Sequence, residues 1–331
     1  MLKKIKAFAG DWAKAFLIAY LIIAFIKAFF FEWTIVRSSS MEGTLQTGDL
    51  IVVNKLKSGA RTPLSLGIPL SDLYLNVELP FLRIPGYGTI ERHDILALNT
   101  PTQEAIPIDR KDVYIKRCIG LPGDTLVIKN KAVFINGELI EEYFPVSFNY
   151  HIHFFSEQDA EEVFTEYDIT EGGKISNLGD WIISMTQEQK SKVEEDERVV
   201  FVKEWLDEHQ SFESLIFPTH KSSEWNLDNY GPVVIPYKGM TISPKDNAFR
   251  LYENLDLEEQ NRNGSKAFTI NQDHYFVMGD NRHNSSDSRF WGFAPKSHII
   301  GTANLIVLSV NQRETNPFKK ISFKRIFKFV E

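Results

Sequence analysis

Ala15 to Phe31 is a run of seventeen residues interrupted by one charge, Lys27, and it sets the terms for the rest of the chain. A stretch this long and apolar is expected to cross a bilayer as a helix, because in lipid the backbone must satisfy its own hydrogen bonds. Trp12 and Trp33 flank the run at interface positions, and Lys14 and Lys27 are placed to snorkel, so the predicted span covers residues 13–33. Lys3, Lys4 and Lys6 put residues 1–12 in the cytoplasm and everything after the span on the outer face. A cleavable secretory signal shares the basic start and apolar middle. The exit Lys27-Ala28-Phe29-Phe30-Phe31-Glu32-Trp33, however, lacks small residues at alternate positions.

Charge is segregated along the chain. Residues 1–37 carry six basic and two acidic groups, residues 317–331 five and one, and the stretch between them −15 against an overall −7. Basic ends around an acidic body suit anionic lipid, and the body has no basic, aromatic-interleaved stripe for nucleic acid. The last stretch, 316–331, is basic and aromatic-rich and is expected as an amphipathic segment in the membrane interface, with docking on the core as the competing reading.

Beyond the span the pattern is mainly β. Strands are expected at Leu50–Val53, Asp94–Leu98, Tyr114–Ile119, Leu126–Ile135 with its hairpin turns, Thr241-Ile242 and His274–Met278. Residues 58–88, with four prolines and apolar Leu79, Phe81, Leu82 and Tyr87, are expected as a loop that is either packed over the core or in contact with lipid. From 141 to 230 there are 21 acidic residues against six basic ones and little strand periodicity. We therefore divide the body into a first core part (34–140), an inserted mixed α/β lobe (141–270) and a second core part (271–315). Thr186-Gln187-Glu188-Gln189 has the form of a capping box opening a helix in the lobe.

Tyr114-Ile115-Lys116-Arg117-Cys118-Ile119 sets Lys116 among apolar neighbours, followed by a Pro122-Gly123 type II turn. Alternation puts Tyr114, Lys116 and Cys118 on one face and Ile115, Arg117 and Ile119 on the other, so one of the two cations is expected to face inward. Burial lowers a lysine pKa and leaves an amine able to take a proton, whereas an average strand lysine snorkels from the sheet edge. A serine nucleophile needs such a base and donors for its oxyanion. Ser40 lies only nine residues beyond Phe31, within roughly 30 Å of the end of the span. The turn Gly279–Arg289 is the third piece.

In order along the chain, Ser38-x-Ser40-Met41-x-x-Thr44-Leu45, Tyr114-Ile115-Lys116-Arg117-x-x-Gly120-Leu121-Pro122-Gly123-Asp124 and Gly279-Asp280-Asn281-Arg282-x-x-Ser285-x-Asp287-Ser288-Arg289 resemble the type I signal peptidase family. Arg92-His93-Asp94 is a weaker match, and Asp228-Asn229-Tyr230-Gly231-Pro232 resembles a segment of longer members. The resemblance implies an antiparallel β-sheet core and a membrane-bound serine endopeptidase of the bacterial cytoplasmic membrane. Such an enzyme removes signal peptides from exported pre-proteins after small residues of Ala-x-Ala type. It further implies Ser40 as nucleophile and Lys116 as general base, with Ser38 in the oxyanion hole and Ser285 orienting the lysine. Met41 and Tyr114 would line the substrate groove, and Asp287 and Arg289 would form a supporting ion pair. No cofactor or metal is implied, and the protein is expected to be a monomer. Arg37 and Gly43 stand where most members carry proline, which predicts a looser loop.

Other chemistries fit less well. There is no Ser-x-x-Lys. His283 reads as an ordinary loop histidine, and His151-x-His153 lacks a third spaced ligand for a metal. Asp280, Asn284 and Asp287 miss the calcium-loop spacing, and Cys118, the only cysteine, reads as a small buried residue. A membrane-tethered module that binds extended peptides without cleaving them is the alternative function. A self-cleaving serine-lysine regulator would need a nucleic-acid domain, which the pattern lacks.

Overall fold

The computed structural model describes residues 2–67, 73–103, 106–205, 216–218, 225–246, 249–252, 255, 267–311 and 320–330. Helix α1 (Leu2–Phe29) carries the apolar run, and its Gly10–Phe29 portion is long and apolar enough to cross a membrane, with none of it buried against the body. It stops short of the predicted limit at residue 33, because Phe31 and Trp33 belong to strand β1 (Phe31–Ile35), paired antiparallel with β2 (Asp49–Asn54). Lys55 makes the joint: its amide donates to the Phe30 carbonyl at 2.9 Å and its Nζ to the Lys27 carbonyl at 2.7 Å and to Glu32 at 3.0 Å. Those bonds take up carbonyls that the helix end leaves unmatched.

Residues 58–88 contain a hairpin, β3 (Ser65–Gly67) and β4 (Tyr74–Glu78). Arg83 ties the arm to the body through the carbonyls of Gly59, Lys296 and Ile299 at 2.7–2.9 Å. The loop is thus structured, yet Leu82 and Tyr87 stay 63% and 73% exposed. Next come β5 (Ile95–Asn99), β6 (Val113–Gly120), β7 (Thr125–Lys129), β8 (Ala132–Ile135) and β9 (Glu138–Leu139). Gly123 at φ +90° closes the β6–β7 turn in the conformation a type II turn requires.

The acidic block holds more strand than its composition suggested. Strand β10 (Ser147–Phe154), α2 (Glu157–Glu166), β11 (Glu171–Lys174), β12 (Asp180–Thr186), α3 (Gln187–Glu194) and β13 (Val199–Glu204) build a sheet in the order β11-β12-β10-β13. Tyr150, Ile152 and Phe154 alternate inward to pack with Ile183, Ala160, Val163 and Val193, while the acidic residues stay on the outside. The Thr186–Gln189 capping box forms and opens α3.

β14 (Tyr230–Val234) leaves that lobe and pairs with β7, so the inserted stretch does not continue to 270 as one unit. β15 (Thr241-Ile242), α4 (Phe249–Tyr252) and β16 (Phe268-Thr269) follow, with Ile242, Leu251 and Tyr252 in the same cluster as Leu126 and Ile128 of β7. Then come β17 (His274–Met278), α5 (Ser288–Trp291), β18 (Ala294-Pro295), β19 (Ile299–Ser309) and β20 (Lys328-Phe329). The main sheet runs β1-β2-β19-β5-β6-β17-β18, with β20 added on β19.

The C-terminal segment expected over 316–331, of which 316–319 and 331 lie outside the described residues, follows the competing reading and docks on the core. β20 pairs with Leu305 and Ile306, Arg325 holds the buried Asp49 at 2.6 Å, and Val330 is buried. An isolated helix this short is marginal, whereas an open sheet position and a buried carboxylate offer definite partners. Phe323, Phe327 and Phe329 remain 69–74% exposed.

Candidate active site

Strand β6 lies between β5 and β17 with both faces covered, so the expectation that one cation faces inward is too narrow: Lys116 is 4% exposed and Arg117 0%. Arg117 is neutralised by Asp280 through two bonds, 2.9 Å from Nε and 2.8 Å from Nη2, and its guanidinium sits 3.8 Å over the Phe144 ring. Thr44 donates to the same carboxylate at 2.6 Å, which ties the loop after Ser40 to the turn after β17.

Among the described residues Lys116 has no carboxylate in hydrogen-bond reach. Its Nζ lies 2.6 Å from Ser40 Oγ and 3.2 Å from the Ile115 carbonyl, with the Tyr114 ring 5.4 Å away. Burial pulls its pKa from 10.5 down to about 8; Asp287 and Asp280 oppose the drop and Arg289 adds to it. Ser40 is itself 6% exposed, and Ser38 Oγ stands 3.2 Å from its Oγ. Among the described residues the Ser40 amide N–H donates to no protein acceptor.

The turn Gly279–Arg289 fixes the Ser40 backbone. Asn281 N–H donates to the Ser40 carbonyl at 3.0 Å and its side chain to the Ser39 carbonyl at 3.3 Å. Gly279 lies so close to Ser285 and to the Ser40 carbonyl that a Cβ there would overlap both. Asp287 accepts from Arg289 at 2.8 and 2.9 Å and from the Gly279 N–H at 3.0 Å. Burial pushes the Asp287 carboxyl up, but the Arg289 charge and these bonds outweigh it and hold the pKa below its usual value.

Three expectations change here. Ser285 is buried within the turn, but among the described residues its Oγ has no hydrogen-bond partner and makes no bond to Lys116; the lysine's bonds go to Ser40 and the Ile115 carbonyl instead. Met41 is 1% exposed within the apolar cluster of Leu45 and Ile51, so it supports the Ser40 loop from beneath and offers no wall to a groove; Tyr114 is half-buried beside Lys116. Gly43 sits at φ +100°, which proline cannot adopt, so this loop turns differently from a proline-bearing one and is not merely looser.

His283 is no ordinary loop histidine. Its Nε2 donates to Asp228 at 2.7 Å and its Nδ1 accepts from the Asn149 N–H at 3.1 Å, joining the Asp228–Pro232 segment and the lobe to the turn. His151 and His153 both bond Asp180 at 3.0 Å, and the Ser176 hydroxyl, followed by the two imidazoles, holds its carboxyl down at about 2. Asp280 and Asp287 are each engaged by an arginine. Cys118 is fully buried and burial pushes its thiol far up. Sequence reasoning assigned no role to Asp280, Asn281 or Gly279, although all three stand in a quoted motif. The signal available was Arg117, a second strand cation in need of an acid.

Residues 9–204 and 229–308 match the family described as signal peptidase, peptidase S26. Signal peptidase I of Buchnera aphidicola from Schizaphis graminum is 27% identical over 310 residues, covering 93% of this chain and 77% of its own. Signal peptidase I of Helicobacter pylori is 24% identical over 356 aligned positions, covering 100% and 94%. Signal peptidase I P of Bacillus subtilis subsp. natto is 31% identical over 140 residues, 42% of this chain and 57% of its own. With the family matched over most of its length, around a buried serine and lysine in contact, the chain belongs to the signal peptidase family, peptidase S26, and is a serine peptidase.

Proposed function

We propose that this protein cleaves signal peptides from exported pre-proteins through a dyad of Ser40 and Lys116. The observation that carries the reading is the 2.6 Å contact between a buried hydroxyl and a buried amine whose pKa has fallen to about 8. With Lys116 neutral, the contact reverses its donor and acceptor: the amine accepts the Ser40 proton, and Oγ attacks the scissile carbonyl. The oxyanion takes hydrogen bonds from the unengaged Ser40 N–H and the Ser38 hydroxyl. Protonated Lys116 then gives its proton to the departing amine, and the neutral amine activates the water that releases the acyl group. The Asp287–Arg289 pair holds the turn against which Ser40 rests, with Ser285 packed against Gly279 inside it, and Tyr114 flanks the groove in which the signal-peptide segment pairs as an added strand. Small pockets before the scissile bond give the Ala-x-Ala preference.

In this reading α1 spans the bacterial cytoplasmic membrane once, with Lys3, Lys4 and Lys6 inside and the catalytic body outside. Leu82, Tyr87, Phe323, Phe327 and Phe329, all exposed, contact the lipid surface. The test mixes detergent-solubilised protein with a synthetic Ala-x-Ala pre-protein. Wild type cuts after the second alanine and Ser40→Ala does not; equal cleavage by both refutes the nucleophile, and binding without cleavage by wild type favours a non-catalytic peptide-binding module.

The pH dependence follows from the lysine. Because the neutral amine is the active form and its pKa is about 8, kcat/KM rises about tenfold per pH unit below that value and levels off above it. A rate that is flat from about pH 5 to pH 9 contradicts a lysine base with this pKa.

A further inference from the structure

The acidic lobe has a direct hold on the backbone that carries Ser40, and the hold runs through one side chain. In β12, Ile183 and Met185 pack into the lobe core, so Ser184 between them points to the opposite face of the sheet. There its Oγ donates to Asn281 Oδ1 at 2.7 Å, with both residues buried. Strand β10 holds the same residue from either side: the Ser147 N–H donates to the Asp280 carbonyl and the Ser147 carbonyl accepts from the Arg282 N–H, each at 2.9 Å. Asn281 passes this on to the serine cluster, since its own N–H donates to the Ser40 carbonyl and its Nδ2 to the Ser39 carbonyl. The lobe also reaches the chain just beyond Ser40, where the Thr170 hydroxyl donates to the Glu42 carboxylate at 2.7 Å.

Chemistry fixes the direction of these bonds. A carbonyl only accepts, so the Asn281 amide must turn Nδ2 to Ser39, which leaves Oδ1 facing Ser184 and makes the serine hydroxyl the donor. Among the described residues no other donor reaches that oxygen. Removing the hydroxyl leaves a buried oxygen unmatched, and the amide relieves this by turning. A turned amide sets its oxygen against the Ser39 carbonyl, and the two repel, which displaces the peptide unit next to Ser40. Attack on a carbonyl needs its reacting atoms closely aligned, so a small displacement there slows the reaction steeply.

Resting on the function proposed above, we infer that Ser184 is a positioning residue of the reaction: through Asn281 it holds Ser39 and Ser40 in register with Lys116, and the inserted lobe thereby acts as a clamp on the nucleophile. The test compares Ser184→Thr with Ser184→Val in the full chain in detergent, cutting an Ala-x-Ala pre-protein. Threonine and valine have nearly the same shape and both suit a strand, so the pair differs in the hydroxyl. Ser184 borders an open cleft of about 270 Å³, which gives the added methyl groups room. Ser184→Val is expected to lower kcat about tenfold with KM within about twofold of wild type, the size of one buried hydrogen bond, while Ser184→Thr keeps kcat within about twofold. The pH profile of Ser184→Val loses height but stays centred at about 8, because the burial of Lys116 is untouched. Asn281→Ala also lowers kcat, and adding Ser184→Val to it costs nothing further, since both act along one path. The inference is overturned if Ser184→Val cleaves as wild type does, if Ser184→Thr is as slow as Ser184→Val, if the loss falls on KM, if the centre of the pH profile moves, or if the losses of the double variant multiply. Equal cleavage by wild type and Ser40→Ala, or no cleavage by wild type, would instead overturn the proposed function, and this inference with it.

Discussion

With Lys116 replaced by alanine, cleavage of an Ala-x-Ala pre-protein falls about ten-thousandfold, while the protein stays folded and still binds the peptide. The size follows from what is lost. Among the described residues Ser40 Oγ has one buried amine at 2.6 Å and no histidine or carboxylate in hydrogen-bond contact, so no second group takes over the proton. Lys116→Arg sharpens the test, since a guanidinium keeps the charge and the donors but cannot become a base in the working range. Both variants are measured by single-turnover cleavage, with labelled-peptide binding as the control. An active arginine variant would show that position 116 only anchors Ser40 electrostatically.

The second large effect concerns stability. Asp280→Ala leaves the Arg117 guanidinium buried without its carboxylate, and removing one partner of a buried pair costs about 3–5 kcal/mol. Thr44 loses its acceptor as well, so the loop carrying Ser40 loosens together with the turn. A markedly lower thermal midpoint for the detergent-solubilised protein, with activity reduced even where it remains folded, is the expected result. An unchanged midpoint would mean that Arg117 finds compensation from the His93 carbonyl and the Phe144 ring, which contact it already.

The contact between Ser40 and Lys116 was legible because three motifs stand in order behind an apolar run, and because a lysine in a β-branched strand stands out chemically. Its supports were harder to see. Alternation assigns side chains to faces but does not say that both faces are covered, so it left room for only one of the two cations inside when Lys116 and Arg117 are both buried. The lobe was obscured by its charge: Tyr150, Ile152 and Phe154 alternate with His151 and His153 as a strand should, but the acidic residues around them dominate the composition. In the last residues the apolar and basic pattern was visible, but Asp49 and the free position beside β19 depend on tertiary structure that a local pattern does not contain. The Ser285 bond came from resemblance alone, and the lysine instead makes its bonds to Ser40 and its own strand.

The joint at Lys55 reaches further than local stability. Strand β1 starts two residues after α1 ends and is fixed by Lys27, Glu32 and Lys55, so the reactive serine stands at a set height above the plane from which the helix emerges. On the function proposed above, an enzyme built this way works as a caliper: it selects a cleavage point by its distance from the lipid as well as by the side chains flanking it. Residues inserted between a substrate's apolar segment and its Ala-x-Ala site would carry that site beyond the jaws, with the cleavage motif itself unaltered.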